Sequence, residues 1–371
     1  MNSAFKILCL ATLALGLGGQ IFPCFAQSVS INVEAPELPV KLLNPDGSLN
    51  QTPTTCSESQ AFSGYLTPGA AALIAETRCR AALLDGAAYN LKISPLLTEL
   101  NTNEDRPDYR PIAQGLSLIT VVKQEEAAPD SLSANPGSTE NPLQAKNQMN
   151  VTLELVPQYQ DLSAAIRAGV ADPDFLYLQG QALAFEKESL TAIEQLLPQI
   201  MNGEPLNKQI NPWLNRLAAL ASCRQFLEPP QSARPEPAKV QQIEEAMTKA
   251  AGLDPNNPLI FCILGNNQLG SGRAAQAVAS FSQALKSAPD FLPALSGRGT
   301  AYLRLNLLDL ALNDFNRAIE LAPDRADYYM ARASVSLIRE DFPAMCQDFR
   351  AACGKGKCEG FNWAVNNNYC Q

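Results

Sequence analysis

Residues Pro258–Pro323 read PLIFCILGNNQLGSGRAAQAVASFSQALKSAPDFLPALSGRGTAYLRLNLLDLALNDFNRAIELAP, and one pattern is written in them twice. Leu264-Gly265 is followed by Gly272, Ala277, Phe281, Ala284 and Pro289. Arg298-Gly299 is followed by Asn306, Ala311, Phe315, Ala318 and Pro323, each 34 residues after its counterpart. A period of that length marks an array of helical hairpins. Gly299, Ala311 and Ala318 are small where two antiparallel helices approach most closely. Phe315 fills the space beside them, and Pro323 ends the second helix. Each hairpin leaves one apolar flank that the next must cover. A third copy starts near Ala326: Tyr329, Ala333, Phe349 and Ala352 keep the register, with Met345 at a position that was small before.

These residues resemble the tetratricopeptide repeat family. The small positions are Gly265, Ala277 and Ala284, then Gly299, Ala311 and Ala318; the aromatics are Phe281, Phe315 and Tyr302. The resemblance implies a mainly α fold, a right-handed α-solenoid with hairpins over 258–291, 292–325 and 326–353. It also implies a role. In the family, the first helix of each repeat lines a concave groove that takes an extended peptide or helix of a partner protein. Carried over, the groove has Leu259, Cys262, Asn266 and Leu269 from the first hairpin. The second supplies Pro293, Ser296, Thr300, Leu303 and Arg304, and the third Asp327, Met330, Ser334 and Leu337. Asn266, Thr300 and Ser334 share one register and form a polar line suited to a peptide backbone. Members that clamp a terminal carboxylate use Lys, Asn and Arg there. Cys262, Ser296 and Met330 depart from that set, which speaks against clamping.

Ahead of the repeats the chain changes character. Residues 1–26 read as a secretory signal: Lys6 gives the positive start, and Ile7–Leu17 is apolar but short for a membrane span. Cleavage is expected after Cys24-Phe25-Ala26, with an uncleaved anchor or lipid attachment at Cys24 as alternatives. Residues 27–160 read as a small α+β region with a disordered loop near 124–148. Val29–Val33 reads as a strand. Pro68–Leu84 reads as a helix capped by Thr67 and ended by Gly86, and Leu91–Leu100 as a shorter one. Leu116–Val122 and Val151–Val156 alternate and read as paired strands.

Residues 161–257 read as degenerate repeats. One unit is laid over Phe175, Leu176, Leu178, Gly180, Leu183, Ala192, Ile193 and Leu196, its second helix interrupted by Pro198. Trp213, Leu217 and Leu220 open another, and Ile243, Met247 and Ala250 close it, around a proline-rich insertion from Glu228 to Pro237.

Eight cysteines remain past residue 26. An even number in an exported chain predicts disulfides. Cys346 and Cys353, seven apart on one helix, are about 10 Å apart and cannot bond each other. Gly354-Lys355-Gly356 turns the chain, so an antiparallel return sets Cys353 against Cys358 and Cys346 against Cys370. Residues 354–371 then form a disulfide-linked cap, which an end repeat needs. The ending resembles a terminal repeat of some secreted bacterial relatives, with Gly360 and Trp363-Ala364 in a Cys-rich segment. A zinc site is the rival reading, against which stand gaps of six, four and eleven residues. Cys56 and Cys79 read as a bridge; Cys223 and Cys262 pair by elimination.

Histidine is absent, which removes histidine-based triads and zinc-protease motifs. Past residue 26 there are 27 basic against 37 acidic groups, a net −10 that disfavours nucleic acid. No Gly-rich phosphate loop and no Cys-x-x-Cys occurs. The expectation is an exported interaction module, periplasmic or extracellular, that binds a protein or peptide as scaffold or assembly factor. It predicts no catalysis, cofactor, metal, small-molecule ligand or membrane span after signal cleavage. Two alternatives stand beside it: an enzyme with its site in residues 27–160, and a self-associating envelope component.

Overall fold

The computed structural model describes residues 38–46, 48–62, 64–93, 109–127, 147–168, 170, 172–224, 226–227 and 237–370. The signal segment, the strand at Val29–Val33 and all but the last residue of the proline-rich insertion lie outside them. The described residues form two compact units, divided between Leu220 and Ala221.

The first unit is built on an antiparallel sheet of β1 (Thr54–Ala61), β2 (Ser117–Ala127) and β3 (Gln148–Pro157), in the order β1-β3-β2. Strand β3 alternates as a half-buried strand must: Met149, Val151, Leu153 and Leu155 point inward between Asn150, Thr152 and Glu154. The segments expected to pair do so, with Ile119 opposite Leu155. The loop between them is shorter than expected, because Gln124–Ala127 and Gln148 belong to the strands; residues 128–146 are outside the described set. Strand β1 was not foreseen. Its sequence, TTCSESQA, is polar because its outer face is open, where the hydroxyls of Ser57 and Thr152 lie 2.9 Å apart.

Helix α1 (Pro68–Ile93) packs on this sheet and is tied to β1 by the Cys56–Cys79 disulfide. Thr67 Oγ1 accepts from Ala70 N at 3.2 Å, a cap bond. Gly86 does not end the helix, as expected, but lies within it. A Cβ there would sit 2.3 Å from Leu38 O and 2.7 Å from Val40 Cγ2, so the glycine admits the chain's approach. The helix runs on through buried Ala87 and Leu91. Leu91–Ile93 is thus its last turn rather than a new helix, and residues 94–100 are outside the described set.

Helices α2 (Arg110–Leu116), α3 (Leu162–Arg167), α4 (Pro173–Met201) and α5 (Asn207–Arg224) follow. Two expectations are corrected here. Residue 160 is no boundary: Leu162, Phe175, Ile193, Ile210 and Leu217 share one buried core with Leu153 and Leu83. The hairpin laid over 175–196 is a single helix of 29 residues. Its middle, Ala184-Phe185-Glu186-Lys187-Glu188, holds good helix formers and no turn residue, and Pro198 falls only in the last turn. Gly180 and Ala192 therefore lie on one helix and cannot face each other.

The second unit contains α6 (Pro237–Leu253), α7 (Pro258–Gly270), α8 (Ala274–Ser287), α9 (Leu292–Arg304), α10 (Leu308–Leu321), α11 (Ala326–Ile338), α12 (Phe342–Cys353) and α13 (Glu359–Asn366). Helices α7 to α12 form three hairpins, joined by turns whose left-handed residues are Gly272, Asn306 and Glu340, at φ 80°, 59° and 59°. The wedges work as their spacing implies. Phe281, Phe315, Ala277, Ala311, Ala284 and Ala318 are fully buried. A Cβ on Gly265 would lie 2.7 Å from the Phe281 ring, and one on Gly299 2.7 Å from the Phe315 ring. Phe281 also reaches the next hairpin, where a Cβ on Gly297 would come within 2.4 Å of it. One aromatic thus closes its own hairpin and seats the next.

Candidate peptide-binding surface

Helix α9 packs on both α7 and α11, so the three first helices of the hairpins lie side by side. The residues carried over from the family divide among them by burial. Asn266 and Arg304 are exposed; Ser296, Thr300, Leu303, Asp327, Met330, Ser334 and Leu337 are partly buried. Leu259 and Leu269 are buried, as are Cys262 and Pro293, and cannot meet a ligand in this arrangement. The cause is the composition of α7. It is apolar on nearly every side and packs on α6 and α9 as well as α8, and a helix apolar all round is an interior one.

The polar line is chemically narrower than its sequence suggests. Thr300 Oγ1 donates to Ser296 O at 2.9 Å, and Ser334 Oγ donates to Met330 O at 3.0 Å. Both hydroxyls spend their proton on their own helix and offer lone pairs outward, as acceptors for a backbone N–H. Asn266 supplies both donors and an acceptor. Arg304 clips neighbouring first helices together, donating from one guanidinium nitrogen to Leu269 O at 2.6 Å. Asp327 is ion-paired with Lys357. Met330 and Leu337 pack on the cluster of Ala333, Met345, Phe349, Ala364 and Cys370, beside α13.

A second 34-residue series runs through the same helices. Arg298 donates to both carboxylate oxygens of Asp314, at 2.8 and 2.7 Å, and to Ser282 Oγ of the preceding hairpin at 3.3 Å. Arg332 does the same with Asp348, at 2.9 and 2.7 Å, and with Asn316 Oδ1 at 2.6 Å. Both aspartates are buried, and the two-pronged bond to each holds its guanidinium above the usual arginine range against the opposing pull of desolvation. The sign of these pairs in the sequence is the aspartate 16 residues after each arginine. In the first hairpin, Leu264 and Ser280 hold these places, and Ser280 bonds Gln268 instead.

Two open hollows flank Arg273. One, of about 670 Å³, is lined by Gly272, Ala274, Gln276 and Arg304; the other, of about 540 Å³, by Val240, Glu244, Gly270 and Ser271. Arg273 pairs with Glu244 between them.

Of the cysteines, Cys346 is bonded to Cys370 and Cys353 to Cys358, with Cα separations of 5.6 and 4.0 Å. The pairing of Cys223 with Cys262 is not formed. Both are buried thiols, and the Cys223 sulfur lies 3.8 Å from Met247 Sδ, inside an apolar contact between helices. Elimination had paired them only because the other six were assigned.

Residues 264–326 and 296–356 match the family model described as tetratricopeptide repeat. Over 72 residues the chain is 39% identical to human tetratricopeptide repeat protein 13, a match spanning 18% of this chain and 8% of that protein's length. Among solved structures, the first TPR domain of human RPAP3 is 20% identical, covering 37% of this chain and 96% of that one, with a TM-score of 0.29. The TPR2AB domain of yeast Sti1, in a structure described as a pHSP90 complex, is 16% identical, covering 53% and 83%, with a TM-score of 0.27. The match to tetratricopeptide repeats thus lies within residues 264–356, the three hairpins of the second unit.

Proposed function

We propose that the chain is an exported interaction module whose stacked hairpins hold an extended segment or helix of a partner protein. The stack is a right-handed solenoid in this reading, and the three first helices line its concave side. The observation that carries it is the register of Asn266, Thr300 and Ser334. They stand one repeat apart on adjoining helices, with open amide and hydroxyl oxygens, beside the partly exposed Ser296 and Leu303. Three acceptors in line fit the N–H groups of an extended peptide. Affinity would come from the pre-arranged helices more than from any single contact.

Export is supported by residues 1–26 and by the three disulfides, which persist in oxidising compartments. No catalytic step is assigned, and the role is that of a scaffold or assembly factor in the cell envelope, with residues 354–370 as the cap of the array. The test is affinity capture from envelope extracts with the mature chain, and with Asn266, Thr300 and Ser334 all changed to Ala. Binding through this line predicts loss of the captured partner with the repeat stack still folded; equal capture by the variant contradicts it.

A further inference from the structure

Among the described residues, the third hairpin is followed by α13, which takes the place that a further first helix would hold. In the stack, the Phe281 ring is met by Gly297 of the following first helix. At the end, the Phe349 ring is met by Gly360 of α13, where an added Cβ would lie 2.7 Å from the ring and 2.8 Å from Met330 Cε. Gly360 does for Phe349 what Gly297 does for Phe281. Yet α13 has only eight residues, Glu359–Asn366, and so short a helix is marginal in water. It is held at its start by Cys353–Cys358 and beyond its end by Cys346–Cys370.

We propose that Met330, Ala333, Leu337, Met345 and Phe349 form a second docking face, for an amphipathic helix of another protein that presents glycine or alanine to Phe349. Helix α13 keeps this face shut until both bridges are reduced. The occupant follows from continuity: this is the side of the hairpin by which each earlier one receives the next first helix, and the helices that meet the wedges bring small residues, Gly297 to Phe281, Ala331 to the Phe315 cluster and Gly360 to Phe349. The reductant is a dithiol. Each bridge accepts two electrons and two protons from it and becomes two thiols, while the dithiol becomes a disulfide. Helix α13 is then attached only through Gly354–Cys358 and exchanges off the face. Met330, Ala333 and Leu337 of this face lie on α11, but the face is argued from Phe349 and the seat of α13 and not from Asn266, Thr300 and Ser334, so it stands whether or not the peptide reading above is right.

The test uses the full chain and a labelled synthetic peptide of residues 356–370 with serine at Cys358 and Cys370. The oxidised chain does not bind the peptide. After dithiothreitol, amides of residues 359–366 exchange at least about 100-fold faster while those of α9 and α10 keep their rates, since two loop closures are lost. A chain with Ser at Cys346, Cys353, Cys358 and Cys370 and with Gly360→Leu, whose own α13 no longer fits, binds the peptide. A peptide carrying Gly360→Leu binds it at least about 10-fold more weakly. Unchanged exchange at 359–366, loss of protection across α9 and α10, peptide binding equal in both redox forms, or indifference to Gly360→Leu each overturns the proposal. A dimer of the reduced chain in size-exclusion chromatography overturns the stated occupant and assigns the face to a second copy.

Discussion

Glu340 holds a left-handed backbone, at φ 59°, where the equivalent residues are Gly272 and Asn306. Glycine and asparagine adopt that conformation at little cost, and a glutamate does not. Glu340→Gly is therefore expected to stabilise the protein by about 0.5–1 kcal/mol, relief of strain outweighing the added chain entropy. Chemical denaturation of the two proteins checks it, and no gain would mean the turn is unstrained. At Gly297 the sign reverses. A methyl there would lie against the Phe281 ring, so Gly297→Ala is expected to cost about 1–3 kcal/mol, recovered in part by Phe281→Leu. Additivity of the two changes would contradict the contact. Gly265, Gly299, Ala311 and Ala318 were legible from spacing alone, because the 34-residue period fixes which atoms must meet; Gly297 was not, since Ile263 and Ala331 hold its place in the other hairpins. Which residues remain open to a ligand was not: Leu259 and Leu269 are hidden by neighbours of α7, and a repeat template carries no record of neighbours.

Between elements, the arginine–aspartate pairs tie the two helices of the second and third hairpins by two-pronged bonds. Asp348 is buried and accepts two bonds from Arg332, which also reaches Asn316 of the preceding hairpin. A double-mutant cycle of Arg332→Met and Asp348→Asn is expected to give a coupling of about 1–3 kcal/mol, with either single change costing more than the pair. Near-zero coupling would show the pair to be ornamental. The folded arginine titrates above its ordinary range, so the contribution is present below that range and is lost only as pH rises through the raised value. Stability is therefore expected to draw on this pair equally at about pH 6 and pH 9. The helix from Pro173 to Met201 shows where element-level reading runs out. Its apolar spacing suits both one long helix and a hairpin, and only the absence of Gly, Pro, Asn or Asp between Leu183 and Ala192 separates them.

Across the whole molecule, two kinds of order meet. The repeats are stabilised by nearest neighbours, and a local pattern suffices to read them. The first unit is stabilised by pairings between residues far apart, such as Thr54 with Leu155 and Cys56 with Cys79, which no period announces. Hence α3, α4 and the start of α5 were assigned to the array although their apolar residues belong to the sheet's core. Changing Cys56 and Cys79 to Ser should lower the stability of the first unit by about 2–4 kcal/mol and leave the exchange protection of α9 to α12 unaltered. Equal loss in both units would mean they unfold as one.

The central claim is that partners bind along the first helices of the hairpins. It is tested most directly by placing a photo-crosslinking residue at Ser296 or Thr300, and for comparison at Asn313 or Arg317 on α10, in the native host. The account predicts that one partner protein is crosslinked from Ser296 and Thr300 and not from Asn313 or Arg317. Crosslinking from the α10 positions alone, or from neither pair, contradicts it.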